Sequence, residues 1–334
     1  MPRRIVSHGG NNKKARNLTT SKRSVSKRIN FNKKTSRKIK GIKSFNFKNL
    51  DFSRIPVNKN TLIMGATIFT TGIFGIVVLN SVIQPEQQVE AIEQVVLPER
   101  QLPGVSKAGQ KYADDATEVM KKLQGYQYRN DGKKVVYLTF DDGPSSSTSS
   151  ILDILEKNDI RATFFITGQS VEHTGQIGKE LLQRSYNYGN AIANHSYSHD
   201  YNLLYPNKTL DFNAFMEDFK KTDEILKDAL GEDFKTEVIR CPGGHMSWKG
   251  MDKLQKYLDE TGVASIDWNA LSGDAVGKNK TAEDLYNEVV ETSKGKEMVV
   301  LLMHDASSKE ETVKSLQSVI DYYKTNGYEF RTLI

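Results

Sequence analysis

The sequence predicts an α/β fold: a parallel sheet of about seven strands rolled into a distorted (β/α) barrel, behind one membrane-spanning helix and a stalk. Three observations point there. Short apolar runs alternate with helix-period segments from Lys133 to the C-terminus, and that alternation means a parallel sheet covered by helices. About seven such units in some two hundred residues suit a closed barrel, with an open doubly wound sheet as the alternative. An uncharged stretch between Lys59 and Glu86 precedes them.

The N-terminal part is read from charge. The chain has 334 residues and a net charge of +6, but residues 1–60 hold 18 Lys and Arg against one acid, Asp51. The remaining 274 residues carry 29 basic and 40 acidic side chains, so a basic tail joins an acidic protein. Thr61–Leu79 reads TLIMGATIFTTGIFGIVVL, extended by Val82 and Ile83. At 1.5 Å per residue this crosses a hydrocarbon core of roughly 30 Å. Its polar residues are only Thr, and its glycines suit membrane helices better than a buried core helix. Sixty residues before the span and no small-residue cleavage site after it argue against a signal peptide. With the positive flank in front, the N-terminus stays cytoplasmic and the C-terminal domain is extracellular, on a single-pass cell-membrane protein. The tail has too few aromatics for a nucleic-acid arm, and contact with anionic lipid suits it better; no nucleic-acid partner is expected.

The layout is therefore a basic tail at 1–60, a span at 61–83, a stalk at 84–132 and a catalytic domain at 133–334. The stalk holds Pro85, Pro98 and Pro103 and an amphipathic stretch from Ser106 to Leu123. In the domain, strands are expected at 135–140, 162–168, 190–195, 237–242, 263–270 and 298–304, with 328–334 closing the chain. Helices are expected near 147–158, 174–187, 211–230, 249–261, 281–293 and 310–326. The single Cys241 excludes internal disulfides and Cys-rich zinc modules.

Polar residues with chemical potential sit at strand ends. Asp141 and Asp142 end the first strand, His195 and His199 the third, Arg240 the fourth and His304 the sixth, with Asp267 and Asp274 on and beyond the fifth. In a parallel barrel all these ends face one mouth. Two adjacent carboxylates after a buried strand need charged partners to offset desolvation. His195 and His199 are four apart, and a helical turn would put both rings on one face. One Asp with two His forms an open-sided, three-ligand site for a catalytic divalent cation, zinc by default.

TFDDGPS at 139–145, NHSYSH at 194–199, RCPGG at 240–244, DWNALSGDA at 267–275 and LLMHD at 301–305 occur in order. Together they resemble the five motifs of the polysaccharide deacetylases, the NodB-like carbohydrate esterases, over roughly residues 133–334. The resemblance implies a metal-dependent hydrolase that releases acetate from N-acetylglucosamine residues of peptidoglycan or a wall-linked polysaccharide. It implies Asp142, His195 and His199 as metal ligands and Asp141 as general base paired with Arg240. His304 would be the general acid, its pKa raised by Asp274. Gly243 would offer its backbone N–H to the oxyanion, and Leu302 would wall the acetyl pocket.

Two positions depart from the motifs: Gly243 and Ala275 stand where aromatics are usual. Their loss should open the sugar groove, and Trp248 or Trp268 can supply a stacking face or be buried. His245 is placed equally at the groove or in solvent, and His173 on a surface loop. Arg240 beside Cys241 favours a lower thiol pKa, but no companion set marks a thiol enzyme. The competing class is an inactive module that only binds wall carbohydrate, which has no need of Asp141, Arg240, Asp274 and His304 together. A metallophosphoesterase needs phosphate-gripping basic clusters, and only Arg240 lies within a motif.

Overall fold

The computed structural model describes residues 101–277 and 279–334. The expected tail and membrane span, and the stalk up to residue 100, lie outside the described residues. Among the described residues no helix is long and apolar enough to cross a membrane.

In chain order the elements are β1 Ala113–Asp114, α1 Ala116–Gln124, β2 Val135–Asp141, α2 Thr148–Lys157, β3 Thr163–Ile166, α3 Gly168–Tyr188 and β4 Ala191–Asn194. They continue with α4 Tyr201–Leu204, α5 Phe212–Leu230, β5 Val238–Ile239, α6 Asp252–Thr261, β6 Ala264–Ser265 and β7 Ala270–Leu271. The last are α7 Ala282–Ser293, β8 Met298–His304, α8 Glu310–Thr325, β9 Glu329–Phe330 and β10 Thr332–Leu333. The main sheet runs β7-β8-β2-β3-β4-β5-β6, with every pairing parallel and β9 added beside the start of β2. β1 and β10 form a separate parallel pair.

The sheet cannot be flat. Six intervals of about 4.8 Å would put its edges about 29 Å apart. Yet only residues 266–269 join edge strand β6 to edge strand β7, a reach of at most about 18 Å. The sheet is therefore rolled. The apolar run 263–270, expected as one strand, is divided between the two edges. Asn269 sits in the crossing, and its side chain accepts from the Val300 amide at 2.8 Å and donates to the Met298 carbonyl at 2.9 Å. A side-chain amide thus stands in for a strand partner of β8.

Alternation along the strands separates an outer core from an inner one. Val136, Leu138 and Phe140 of β2 and Val299, Leu301 and Met303 of β8 pack under the helices. Tyr137, Phe165, Ala193, Val238, Met298 and Val300 face inward. Ala116, Val119, Met120 and Leu123, at helical spacing on α1, complete that inner cluster. The segment expected as the end of the stalk is thus packed into the domain: Val105 is fully buried, and the Gly104 amide donates to the Lys235 carbonyl at 2.7 Å.

α3 starts at Gly168, ahead of the expected position near 174, and Gly175 interrupts it with φ 58° and ψ −135°. The expected helix corresponds to the part after that break.

Candidate active site

The inner face of β2 leads from Tyr137 past Thr139 to Asp141 at the mouth, a period-two row that carries the site. Asp141 is buried and meets Arg240, which is fully buried, at 2.7 Å. The guanidinium also donates to Thr139 Oγ1 at 2.8 Å and to the Ile266 carbonyl at 2.8 Å, and it stacks 4.0 Å from the Phe165 ring. A buried cation with its donors engaged is a rigid partner, because leaving any of them unpaired would be costly.

Donor atoms of Asp142, His195 and His199 lie within 4.8 Å of one another. His195 Nδ1 lies 2.8 Å from the Arg240 carbonyl, which leaves Nε2 to face Asp141 Oδ2 at 3.5 Å and Asp142 Oδ1 at 3.8 Å. Complete burial pushes the His195 pKa down to about 3, so the ring is neutral, as a metal ligand must be. The three donors therefore suit a divalent cation in type and position, with zinc fitting two imidazoles and a carboxylate.

His195 to His199 do not form a helix. The two rings meet at 4.9 Å through a loop in which Ser196 (φ 70°) and His199 (φ 51°) adopt left-handed backbone, as does Asp142 (φ 74°). Such conformations persist only where surroundings enforce them. Asn194 Oδ1 accepts from the Ser196 amide, and Asp218 Oδ2 accepts from the Tyr197 and Ser198 amides. Ser170 Oγ donates to the Asp142 carbonyl.

Opposite, His304 Nδ1 lies 2.7 Å from Asp274 Oδ1, so Nε2 remains for the cavity. Burial opposes a charged ring there, but the Asp274 hydrogen bond and charge, with the charges of Asp141 and Asp142, outweigh it and the His304 pKa is raised. Asp274 is itself held by the His304 amide and Thr312 Oγ1, and Lys309 Nζ donates to its carbonyl.

One cavity of about 360 Å³ gathers Asp141, Asp142, His195, His199, Gly243, Asp274, Ala275, Leu302 and His304. Arg240 stands behind its wall. Every expected site residue is at this mouth. Of the two tryptophans, Trp268 lines the cavity, while Trp248 stacks on Tyr205. Asp267 turns aside to accept from the His245 and Met246 amides. His245 is buried in a neighbouring cavity of about 260 Å³, so it is neither solvent-exposed nor part of this one. His173 lies on α3, not on a loop, and lines a cavity that shares Asp142 and His199 with the site. Burial pushes the Cys241 thiol up to about 12, against the lowering expected from Arg240.

Asp305 was not singled out from the sequence. It is fully buried, accepts from Ser145 Oγ at 2.7 Å and Thr148 Oγ1 at 2.6 Å, and its amide donates to the Asp141 carbonyl. It ties the 141–148 loop to the end of β8. Its signal was the one used for Asp141: an acid directly after a buried strand.

Residues 128–264 match the family model for polysaccharide deacetylase. Asp274 and His304 lie beyond that span, and the fold returns them to the same mouth. The chain is 31% identical over 227 residues to a putative polysaccharide deacetylase, YheN, of Bacillus subtilis (strain 168), covering 67% of this chain and 75% of that one. It resembles the solved structure of a Streptococcus mutans CE4 esterase, with 36% identity and a TM-score of 0.63 over 70% of this chain and 96% of the other. The catalytic domain of a peptidoglycan N-acetylglucosamine deacetylase from Eubacterium rectale ATCC 33656 is 31% identical, with a TM-score of 0.54 over 62% of this chain and 91% of that one.

Proposed function

The chain belongs to the polysaccharide deacetylase family, and from that premise we propose that it is a zinc-dependent hydrolase that removes N-acetyl groups from N-acetylglucosamine residues of a cell-wall glycan. The glycan is peptidoglycan or a polysaccharide linked to it, and the Eubacterium rectale relative supports that class of substrate. In the same proposal the protein is anchored by residues 61–83 with its catalytic domain outside the cell, supported by the charge asymmetry around an uncharged stretch.

One observation carries the reading: Asp141, ion-paired to Arg240 behind the wall, and His304, hydrogen-bonded to Asp274, face a single cavity with the metal donor set. Asp142, His195 and His199 would hold the cation, which when bound supplies Lewis acidity to water and to the acetamide carbonyl. Asp141 accepts the proton that water releases as its oxygen adds to the acetamide carbon. The Gly243 N–H meets the negative charge that develops on the carbonyl oxygen. His304 donates its Nε2 proton to the nitrogen as the C–N bond breaks, leaving acetate and a free amine. Leu302 excludes water from the side of the acetyl methyl.

The test is acetate release from purified wall fractions by the full chain in detergent. Release should be abolished by chelator and restored by zinc. His195→Ala and His199→Ala should lose metal and activity together. Wild-type binding to the same wall fractions without acetate release would overturn the hydrolase reading in favour of a binding module.

A further inference from the structure

Gly243 leaves one wall of the groove to be supplied from elsewhere, and α4 supplies it. Asp200 caps that helix by accepting from the Asn202 amide at 2.8 Å, which fixes Tyr201 at its first position. The Tyr201 ring lies 5.3 Å from His199 and 5.1 Å from Trp248. Trp248 is held in turn, stacked on Tyr205 at 4.1 Å with its Nε1–H donating to the Pro242 carbonyl at 2.8 Å.

A Cβ placed on Gly243 would lie 3.0 Å from Trp248 and 3.3 Å from the Tyr201 hydroxyl oxygen. The two rings thus occupy the room that a side chain at 243 would need. The same distances put the phenol against the backbone that offers its N–H to the reacting carbonyl. Tyr201 is 44% exposed and lines the cavity of Asp141, Asp142, His195 and His304. Its hydroxyl makes no hydrogen bond among the described residues, whereas the hydroxyl of neighbouring Tyr197 is committed to Glu172. A neutral O–H lining a reaction cavity with no protein partner is free to donate to a ligand there.

We infer that Tyr201 is a further catalytic residue: its hydroxyl donates to the acetamide carbonyl oxygen beside the Gly243 N–H, and its ring forms the groove face that Gly243 lacks. The inference rests on the deacetylase reading for its substrate. Tyr201 forms no covalent bond and keeps its proton. It strengthens one hydrogen bond as charge grows on the oxygen, and so acts on the transition state more than on substrate binding.

Tyr201→Phe keeps the ring and its packing and removes only the donor. Loss of an oxyanion donor typically lowers kcat by about 10² to 10³, and because other groups share this charge the expected fall is about tenfold or more. KM for an N-acetylglucosamine oligomer should stay within about twofold. Tyr201→Leu should also raise KM, since the stacking face goes too. Metal content should match wild type in both. A second readout needs no turnover: acetate, the product, should bind the zinc-loaded full chain several-fold more weakly when Tyr201 is Phe. Unchanged kcat and unchanged acetate affinity in Tyr201→Phe would overturn the assignment, as would loss of metal, which would make Tyr201 a support for His199. If wild type releases no acetate from any glycan while Tyr201→Phe still weakens acetate binding, the deacetylase reading fails and the hydroxyl contact stands.

Discussion

At the scale of single residues, His304 must hold a proton in surroundings that disfavour charge. Its raised pKa comes from Asp274, aided by the charges of Asp141 and Asp142, overcoming burial, so the donor form persists to higher pH than that of an unaided buried imidazole. Asp274→Asn removes the largest raising influence and leaves burial opposed only by the charges of Asp141 and Asp142, so the alkaline limb of kcat should move to lower pH. A pH–rate profile of the variant checks this, and an unmoved limb would detach His304 from the proton transfer. Asp141→Asn and His304→Ala should each lower acetate release by roughly 10² to 10⁴, with metal still bound because neither belongs to the proposed donor set. Their losses should not multiply in the double variant, since proton removal and delivery serve one path. These three residues were legible in the sequence because each ends or follows a strand at the mouth of the predicted barrel. Asp305 and Asn194 stand at strand ends too, but their use and that of Asp218 lies in fixing loops, through partners as far as 160 positions away for Asp305 and Ser145, which strand position alone does not reveal.

At the scale of elements, period and turn chemistry placed β2, β8, α2, α5, α7 and α8 within one or two residues. They failed where tertiary context decides. Residues 263–270 carry enough apolar character for one strand, but the rolled sheet needs a crossing there, and only the partners of Asn269 reveal it. Likewise α1 reads as an amphipathic stalk because its apolar face has no partner in the local sequence. That partner is the inner cluster of the barrel, formed by residues from Tyr137 to Val300. A chain starting at residue 133 should therefore fold poorly or melt well below one starting at 101. Within the full chain, Met120→Ala and Leu123→Ala should each cost about 2–5 kcal/mol, read by denaturant titration. Exposed Lys121→Ala on the same helix should leave stability nearly unchanged, since its ion pair with Glu118 is solvent-screened. Equal stability of the three variants would return α1 to the stalk.

At the scale of the whole molecule, charge is distributed as the proposed location requires. The tail carries a net +17 over sixty residues, next to a stretch without charge, and the 274 residues after it carry −11. A tail of that sign is drawn to anionic lipid on the cytoplasmic face and resists crossing the bilayer. An acidic domain is not held against an anionic surface and stays available to the wall. The proposed chemistry agrees, since a cavity proposed to act on an acetamide of a wall glycan is of use only on the side where that glycan lies. Protease added to intact cells should therefore digest the domain, while an epitope placed before residue 60 remains protected until the membrane is permeabilised. The reverse pattern, a digested tail and a protected domain, would invert the topology and separate the site from its proposed substrate. Replacing half of the tail's Lys and Arg by Gln should weaken the preference and yield a mixed population, because orientation depends on basic residues flanking the span. An unchanged pattern in that variant would mean that the positive flank does not set the orientation.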